Sequence, residues 1–285
     1  MFPNQFEYHR PDSVRAAVAL LAANPDAKLL AGGHSLLPAM KLRLASPAAL
    51  VDLAGVRGLS GIDAGGPITI GAMTPYAALR DSRNLARVLP MVTEAANNVG
   101  DPAVQARGTI GGALAHSDPA ADFTAIFLAL NGRVDVTGSS GARSIDADDL
   151  FVDLFTTSLN ADEIITAVQF PAPRAGSGMA YEKFRHPASG YAVVGVAAVV
   201  NAGADGVVDS ARIAVTGATS KATRAGGAER VLEGKRLIED TISAAATAAP
   251  IGLDVNGDFF ASDEYRRHLI SVLTARALRR IAAAM

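Results

Sequence analysis

The sequence predicts an α+β fold built from two successive parts. Apolar residues recur at helical spacing in some segments and form alternating or Val-rich runs in others, which indicates helices and strands mixed along the chain. A segment rich in Pro and Gly, residues 171–178, separates a first part of short mixed elements from a second part in which strands precede helices. With 285 residues, the chain is long enough to bury a core in one large domain or in two ordinary ones.

Start and stop signals define the elements of the first part. Ser13 can cap a helix that ends at Asn24, and Ser35 follows a glycine break and can cap a second helix. Pro75 and Pro90 stand where helices begin, and Asp118 precedes apolar residues at core spacing. The predicted helices therefore begin near residues 13, 35, 75, 90 and 118, and the predicted strands cover residues 27–31, 50–53, 67–71, 134–136 and 163–170.

The second part reads as strands followed by helices. Strands are predicted at residues 179–185, 192–201 and 212–216, and an Asp205-Gly206 turn joins the last two as a hairpin. Helices are predicted at residues 222–232, 237–249 and 262–284. The arginines of the last helix are typical of a solvated face, with favourable charges near its carboxyl end.

The composition excludes several classes of protein. The chain has no Cys, which removes disulfide scaffolds, thiolate zinc sites, iron–sulfur clusters and cysteine nucleophiles. Its 26 Lys and Arg residues nearly balance its 28 Asp and Glu residues, so the net charge of −2 gives no footprint for nucleic acid or an anionic membrane. The longest apolar stretch, residues 191–200, is about half of the ~20 residues that a membrane span needs, and the N-terminal residues contain no signal-peptide core. We therefore expect a cytoplasmic protein without a membrane span.

Two glycine loops are the candidate sites for chemistry. The first, AGGHS at residues 31–35, lies between a predicted strand and a predicted helix, and the second, TIGG at residues 109–112, follows Gly108. Glycines allow positive φ and close ligand approach, and successive backbone N–H groups form a nest suited to phosphate. Two such loops suit a ligand with two phosphates. Neither loop matches the GxGxxG or GxxxxGK[ST] pattern, so two ordinary turns remain an alternative at this point.

The residues around the two loops favour a binding site over two ordinary turns. The segments AGGHSLLPAMKLRL (31–44) and TIGGALAHSDPAAD (109–122) together resemble the flavoprotein (medium) subunit of the molybdenum hydroxylases, a family that includes aerobic carbon monoxide dehydrogenase and xanthine dehydrogenase. The resemblance continues through residues 160–171, 181–195 and 224–235 and covers nearly the whole chain. It implies a two-lobed FAD-binding domain of the vanillyl-alcohol oxidase and p-cresol methylhydroxylase type at residues 1–173, with lobes at about 1–55 and 56–173. A C-terminal domain at residues 178–285, with a three-stranded antiparallel sheet and helices, would follow.

The resemblance also implies which residues contact the cofactor. The two loops would bind the FAD pyrophosphate, Asp122 would contact the cofactor, and Tyr191 would lie near the isoalloxazine ring. The family often has Asn or Ser at the position of Ala113, so only a backbone contact is carried over there. His34 and His116 stand beside the loops without a third ligand at metal spacing, so we expect hydrogen bonds from them and no metal. The full predicted set is Leu30, Ala31, Gly32, Gly33, His34, Ser35, Leu36, Leu37, Thr109, Ile110, Gly111, Gly112, Ala113, His116, Asp122, Ile165, Lys183 and Tyr191.

The function implied by the resemblance is electron transfer. Electrons would pass from [2Fe-2S] clusters through FAD on this chain to an external acceptor, with no catalytic residue supplied by the chain itself. The molybdopterin and the clusters would lie on partner chains, a large molybdopterin subunit and a small iron–sulfur subunit, assembled as a dimer of heterotrimers. The substrate stays open, as does the acceptor among NAD, quinone, cytochrome and oxygen.

Two other functions remain as alternatives. One is a stand-alone FAD-dependent reductase that resembles UDP-N-acetylenolpyruvoylglucosamine reductase, which would need a proton donor beside the flavin. The other is a nucleotide-binding scaffold without enzymatic activity.

Overall fold

The computed structural model describes residues 2–285, in which three larger sheets and one hairpin combine with twelve α-helices. The strands are β1 (Glu7–His9), β2 (Ala27–Leu30), β3 (Ala49–Asp52), β4 (Ile62–Asp63), β5 (Ile68–Gly71), β6 (Arg133–Gly138), β7 (Gly141–Asp146), β8 (Phe151–Asp153), β9 (Thr156–Thr157), β10 (Ile164–Phe170), β11 (Ser177–Arg185), β12 (Ala192–Ala202), β13 (Val208–Thr216) and β14 (Thr223–Arg224). The helices are α1 (Val14–Ala23), α2 (Leu36–Lys41), α3 (Tyr76–Asp81), α4 (Arg83–Val88), α5 (Pro90–Asn98), α6 (Pro102–Arg107), α7 (Ile110–His116), α8 (Asp122–Ala129), α9 (Ala147–Leu150), α10 (Gly226–Leu232), α11 (Glu239–Ala248) and α12 (Asp263–Ala284).

The N-terminal lobe is a small parallel sheet in the order β1-β3-β2, with α1 packed against it. Helix α1 begins at the predicted position, and the Ser13 hydroxyl accepts the Ala16 N–H at 3.4 Å. Its Ala17, Val18 and Leu21 are buried at helical spacing against β3. The first glycine loop leaves this lobe at the end of β2.

The second lobe is a five-stranded sheet in the order β4-β5-β10-β6-β7, in which neighbouring strands are antiparallel. Helices α3, α5 and α8 and the buried residues of β5, β6 and β10 share one large hydrophobic core. Strand β10 lies at the centre of the sheet, and its Ile164 packs in the core of the N-terminal lobe. This strand therefore joins the two lobes.

The last part of the chain is an antiparallel sheet in the order β11-β12-β13-β14, covered by α10, α11 and α12 on one face. Helix α8 packs against β12 and β13, and all eight of its residues are buried. The three long strands are those predicted from the sequence, and the two-residue β14 extends the edge of the sheet. The α+β fold class, with a first part of mixed elements followed by a second part in which strands precede helices, is confirmed.

Several local predictions differ from the structure. Helix α8 begins four residues after Asp118, because the Asp118 carboxylate accepts the Ala120 N–H and forms a turn instead. Ser35 has helical backbone angles and makes no capping hydrogen bond, so the predicted cap of α2 is wrong. Helix α2 ends at Lys41, and Arg43 follows with a left-handed φ of 60°. The helix predicted from residue 222 begins at Gly226, after β14.

Candidate functional site

The two glycine loops meet in one cleft of about 710 Å³ between the lobes. The cleft wall takes residues from β2, from the loop into α2, from α7 and α8, and from the start of β10. Most of the predicted cofactor contacts belong to this wall. The predicted residues that line the cleft are Ala31, Gly32, Gly33, His34, Ser35, Leu36, Thr109, Gly111, Gly112, Ala113, His116, Asp122, Ile165 and Tyr191, and those that do not are Leu30, Leu37, Ile110 and Lys183.

Glycines allow the two loops to touch. A Cβ atom at Gly32 would lie 2.2 Å from the carbonyl oxygen of Arg107, just before the second loop. A Cβ atom at Gly112 would lie 3.4 Å from the Cβ of Ala31 in the first loop. Any larger side chain at Gly32 would push the loops apart, which gives this glycine a structural role in building the cleft.

The first loop presents free backbone donors. Gly33 adopts a φ of +80°, and its carbonyl accepts the Leu37 N–H at 3.0 Å. Within residues 2–285, the N–H groups of Gly33, His34 and Ser35 donate to no backbone or side-chain acceptor of the protein. Three successive unpaired N–H groups that border a cleft form the kind of nest that binds an anion such as phosphate.

The second loop is different, because the N–H groups of Ile110, Gly111 and Gly112 are already paired. The Thr109 hydroxyl caps α7 by accepting the Gly112 N–H at 3.2 Å. The N–H groups of Ile110 and Gly111 donate to the carbonyls of Thr74 and Ala72, at 3.2 and 2.9 Å. The Ile110 side chain is wholly buried in the core. The structure therefore gives Ile110 a packing role and leaves for a ligand only the small surface of Thr109 and Gly112 that lines the cleft.

A buried charged cluster stands behind one wall of the cleft. The Asp122 carboxylate lines the cleft and lies 2.8 Å from the Lys183 ammonium, and the Tyr181 hydroxyl donates to it. Lys183 also donates to the Asn98 carbonyl at 3.3 Å and is almost wholly buried. Burial raises the pKa of Asp122, and the positive charge of Lys183 and the Tyr181 hydrogen bond oppose that rise. Lys183 therefore acts on the cleft through Asp122.

Two tyrosines also line the cleft. Tyr191 is 42% exposed, and burial and the negative charge of Asp118 raise its pKa. Tyr76 also lines the cleft and stacks on Phe123 with 5.0 Å between ring centroids. Burial and the nearby Asp122 raise the pKa of Tyr76, so its hydroxyl stays protonated.

Sequence reasoning did not find every residue of the cleft. The additional residues come from α3, α6 and the β8–β9 hairpin, and no local pattern points to them, because tertiary contacts bring them to the wall. The Tyr76 N–H, for example, bonds the Gly108 carbonyl at 3.0 Å and thereby ties α3 to the second loop. Further lining residues outside the predicted set include Tyr76, Gly100, Val104, Phe155, Asn160 and Glu163.

The described residues show neither a metal-binding cluster nor a membrane-spanning helix. Residues 2–285 contain no group of three or more His, Asp or Glu side chains placed to hold a metal ion. None of their helices combines the length and the apolar character that crossing a membrane requires.

Comparison with known proteins agrees with this geometry. Residues 4–173 match the family model of the FAD binding domain in molybdopterin dehydrogenase, and residues 179–281 match that of the CO dehydrogenase flavoprotein C-terminal domain. The nicotine 6-hydroxylase medium subunit of Paenarthrobacter nicotinovorans is 40% identical over 95% of both chains. The carbon monoxide dehydrogenase medium chain of Hydrogenophaga pseudoflava is 39% identical over 98% of this chain and 97% of its own.

A solved structure extends the likeness to three dimensions. The structure of carbon monoxide dehydrogenase from Hydrogenophaga pseudoflava that lacks the Mo-pyranopterin moiety contains a chain with a TM-score of 0.95 to this one. The two chains are 40% identical, and the match covers 99% of each.

Together, the fold, the cleft and the matched models define an FAD-binding flavoprotein. The chain belongs to the flavoprotein (medium) subunit family of the molybdenum hydroxylases, and its relatives are subunits of dehydrogenases and hydroxylases. The resemblance found in the sequence is confirmed, and with it the assignment of the chain as an oxidoreductase subunit whose cofactor is FAD.

Proposed function

We propose that this chain holds FAD in the cleft and passes electrons from the [2Fe-2S] clusters of a partner to an external acceptor. The observation that carries the proposal is the nest of three free N–H groups at Gly33, His34 and Ser35, because an anion completes their hydrogen bonding. When bound, FAD would supply the redox chemistry, and the chain would supply position and electrostatics.

The residues of the cleft fit a dinucleotide. The nest suits one phosphate of the pyrophosphate, and the glycine surface at Gly112 admits the second close to the backbone. Asp122, held by Lys183 and Tyr181, offers a fixed carboxylate oxygen as an acceptor. Tyr191 lines the same cleft, and we propose that the isoalloxazine ring lies beside it. Four of the predicted residues lie outside the cleft lining and support its wall from behind: Leu30, Leu37, Ile110 and Lys183.

We also propose the partners. The curated relatives are named medium chains or medium subunits, which supports a complex with a larger and a smaller chain. This chain has no Cys to bind iron–sulfur clusters, so a small iron–sulfur subunit would carry them, and a large subunit would carry molybdopterin. A dimer of heterotrimers, a cytoplasmic location, and a division into domains at 1–173 and 178–285 belong to the same proposal. The two family models, which match residues 4–173 and 179–281, support that division.

Co-purification and flavin reduction test the proposal together. The chain, tagged and expressed with the chains encoded beside its gene, should carry bound FAD and retain a cluster-containing small subunit and a molybdopterin-containing large subunit. When the small subunit is reduced and mixed without oxygen with the FAD-loaded chain, the visible absorbance of oxidised flavin should fall. A chain that stays colourless in excess FAD would overturn the proposal in favour of a scaffold. A solitary FAD-loaded chain that reduces a substrate with NADPH would overturn it in favour of a stand-alone reductase.

A further inference from the structure

Two Asn-Gly pairs occur in the chain, Asn131-Gly132 and Asn256-Gly257. An asparagine that precedes glycine is chemically labile, because glycine has no Cβ to shield its backbone nitrogen from the asparagine side chain. The same dipeptide therefore stands in two different surroundings, and the fold determines at which of them the glycine nitrogen is free to react.

The Asn131-Gly132 pair is held in place. The Gly132 N–H donates to the Phe127 carbonyl at 2.9 Å, and the Gly132 carbonyl accepts the Ala147 N–H at 2.8 Å. Gly132 is buried, and a Cβ atom there would lie 2.4 Å from the Phe127 ring. Its backbone nitrogen can approach the Asn131 side chain only after a buried hydrogen bond breaks.

The Asn256-Gly257 pair is open by comparison. It lies in residues 253–258, which form neither helix nor strand, and both members of the pair are exposed. Within residues 2–285, the Gly257 N–H donates to no acceptor of the protein, and the Asn256 side-chain amide makes no hydrogen bond. The nitrogen that would attack and the amide that would be attacked are therefore both unpaired.

We propose that Asn256 is a site of spontaneous deamidation in the folded chain, through a cyclic imide formed with Gly257. The Gly257 nitrogen attacks Asn256 Cγ, and the new N–C bond closes a succinimide ring. The Cγ–Nδ2 bond breaks, and ammonia leaves with the proton of the Gly257 nitrogen. Water then adds to either ring carbonyl and opens the ring to aspartate or isoaspartate. One water enters and one ammonia leaves, and nothing is oxidised or reduced.

The modification changes the surroundings of a buried arginine. The Asn256 carbonyl accepts a hydrogen bond from Arg266 Nη1 at 3.2 Å, and the Asn256 N–H donates to the Ala218 carbonyl at 2.8 Å. Isoaspartate adds one carbon to the main chain before Gly257, which lies tightly against the start of α12, since a Cβ atom there would lie 2.9 Å from the Asp263 nitrogen. The isoaspartate form should therefore loosen the segment before α12 and lower the midpoint of thermal unfolding.

Peptide mapping by mass spectrometry tests the site. The full chain is incubated in its folded state in water enriched in heavy oxygen and is then digested in ordinary water, so that only deamidation during the incubation carries the label. A protein isoaspartyl methyltransferase assay measures the isoaspartate that forms. We expect labelled product to accumulate at Asn256 at least about tenfold faster than at Asn131, which is the factor that the net stabilisation of one hydrogen bond can give.

The unfolded chain is the matched control. In concentrated urea, the two pairs should be modified at similar rates, because the fold no longer shields Gly132. The variant Asn256→Gln keeps an amide side chain but requires a larger ring, so it should stay unmodified at this position. During the same incubation, its thermal midpoint should fall less than that of the unaltered chain.

Equal rates at the two pairs in the folded chain, or no labelled product at Asn256, would overturn the proposal. A rate difference that persists in urea would also overturn it, because the flanking residues and not the fold would then be responsible. Equal falls of the thermal midpoint in the unaltered chain and in Asn256→Gln would refute the expected loosening of the segment before α12.

Discussion

At Gly33, the first glycine loop adopts a φ of +80° where it borders the cleft. Replacement by Ala would strain this conformation by about 1–2 kcal/mol and place a Cβ 2.9 Å from Leu37 Cδ1. We expect Gly33→Ala to weaken FAD binding at least about tenfold, because the nest cannot keep its shape. Titration of the FAD-free chain with FAD, followed by flavin fluorescence, measures the change.

Gly58 provides the matched control for this variant. Its φ is +82°, a Cβ there would meet no atom within 4 Å, and it lies outside the cleft lining. Gly58→Ala should therefore cost a similar amount of stability and leave FAD affinity unchanged. Equal losses of affinity in the two variants would show that backbone strain alone, and not the nest, is responsible.

The buried Asp122–Lys183 ion pair predicts losses of folding stability that are not additive. Lys183→Met would leave the buried Asp122 carboxylate unpaired, which costs about 3–5 kcal/mol of folding free energy. The double variant Asp122→Asn/Lys183→Met should lose less unfolding free energy than the sum of the losses of the two single variants, because it leaves no buried charge. Urea denaturation of the four proteins gives the coupling energy. Arg133→Met, at the exposed Arg133–Asp146 pair, should change stability little, and strictly additive losses in the cycle would contradict the prediction.

At the scale of elements, a helix or strand can be predicted where its sequence shows a clear start residue or a periodic apolar pattern. The sequence predicts the observed start of α5, because Pro90 begins this helix and its buried residues follow a helical period. The segment of residues 100–112 contains α6 and the start of α7, and both helices are too short for periodicity to indicate them. Asp101 and Thr109 cap these helices. The sequence of this glycine-containing segment therefore includes the capping residues that mark helix starts. Strand β7 is mostly exposed, so its sequence shows no alternating apolar pattern. Only its pairing with β6 defines it as a strand.

The turn that leads into β10 predicts acid sensitivity. Glu163 accepts two hydrogen bonds from Arg143, at 2.6 and 2.8 Å, and one from the Asn160 N–H, and these bonds lower its pKa below the ordinary value of 4.5. A carboxylate with a lowered folded pKa contributes stability that is complete above the unfolded pKa and is lost as the pH falls through the folded one. The stability of the chain should therefore decline below about pH 4.5.

The variant Glu163→Gln tests this directly. At neutral pH it should lose about 1.5–3 kcal/mol, because a buried charged acceptor is replaced. It should also show a shallower fall of unfolding free energy between neutral pH and pH values below 4.5 than the unaltered chain. Denaturation midpoints across this range provide the measurement, and parallel pH profiles for the two proteins would refute the role of Glu163.

At the scale of the whole molecule, the sequence predicts the class of site and most of its wall, but not how the wall is assembled. The two loops and Asp122 belong to continuous motifs and are therefore visible in the sequence. Tyr76 and Phe155 reach the same cleft from distant elements that no local pattern connects to it. A second cavity, which lies where the C-terminal sheet meets residues 118–120, is likewise invisible in the sequence.

The contact between the two parts of the chain leads to the last prediction. All residues of α8 are buried, and Tyr181, Ala197 and Ala214 of the C-terminal sheet belong to the same hydrophobic core as α5 and α8. The Thr216 hydroxyl bonds the Pro119 carbonyl at 2.6 Å, and the Asp122–Lys183 pair crosses the same boundary. Such a boundary resembles a core cut in half more than the polar contact that is usual between domains. Residues 1–175 alone would expose the apolar face of α8.

We therefore expect neither half to fold alone. Separately expressed fragments 1–175 and 176–285 should bind the dye ANS and unfold without a cooperative transition, whereas mixing them should restore one cooperative transition together with FAD binding. The intact chain should unfold in one thermal transition. Added FAD should raise the midpoint temperature of that whole transition, because a ligand of one part stabilises everything that unfolds with it. Two separate transitions in the intact chain, only one of which responds to FAD, would instead show that the parts are energetically independent.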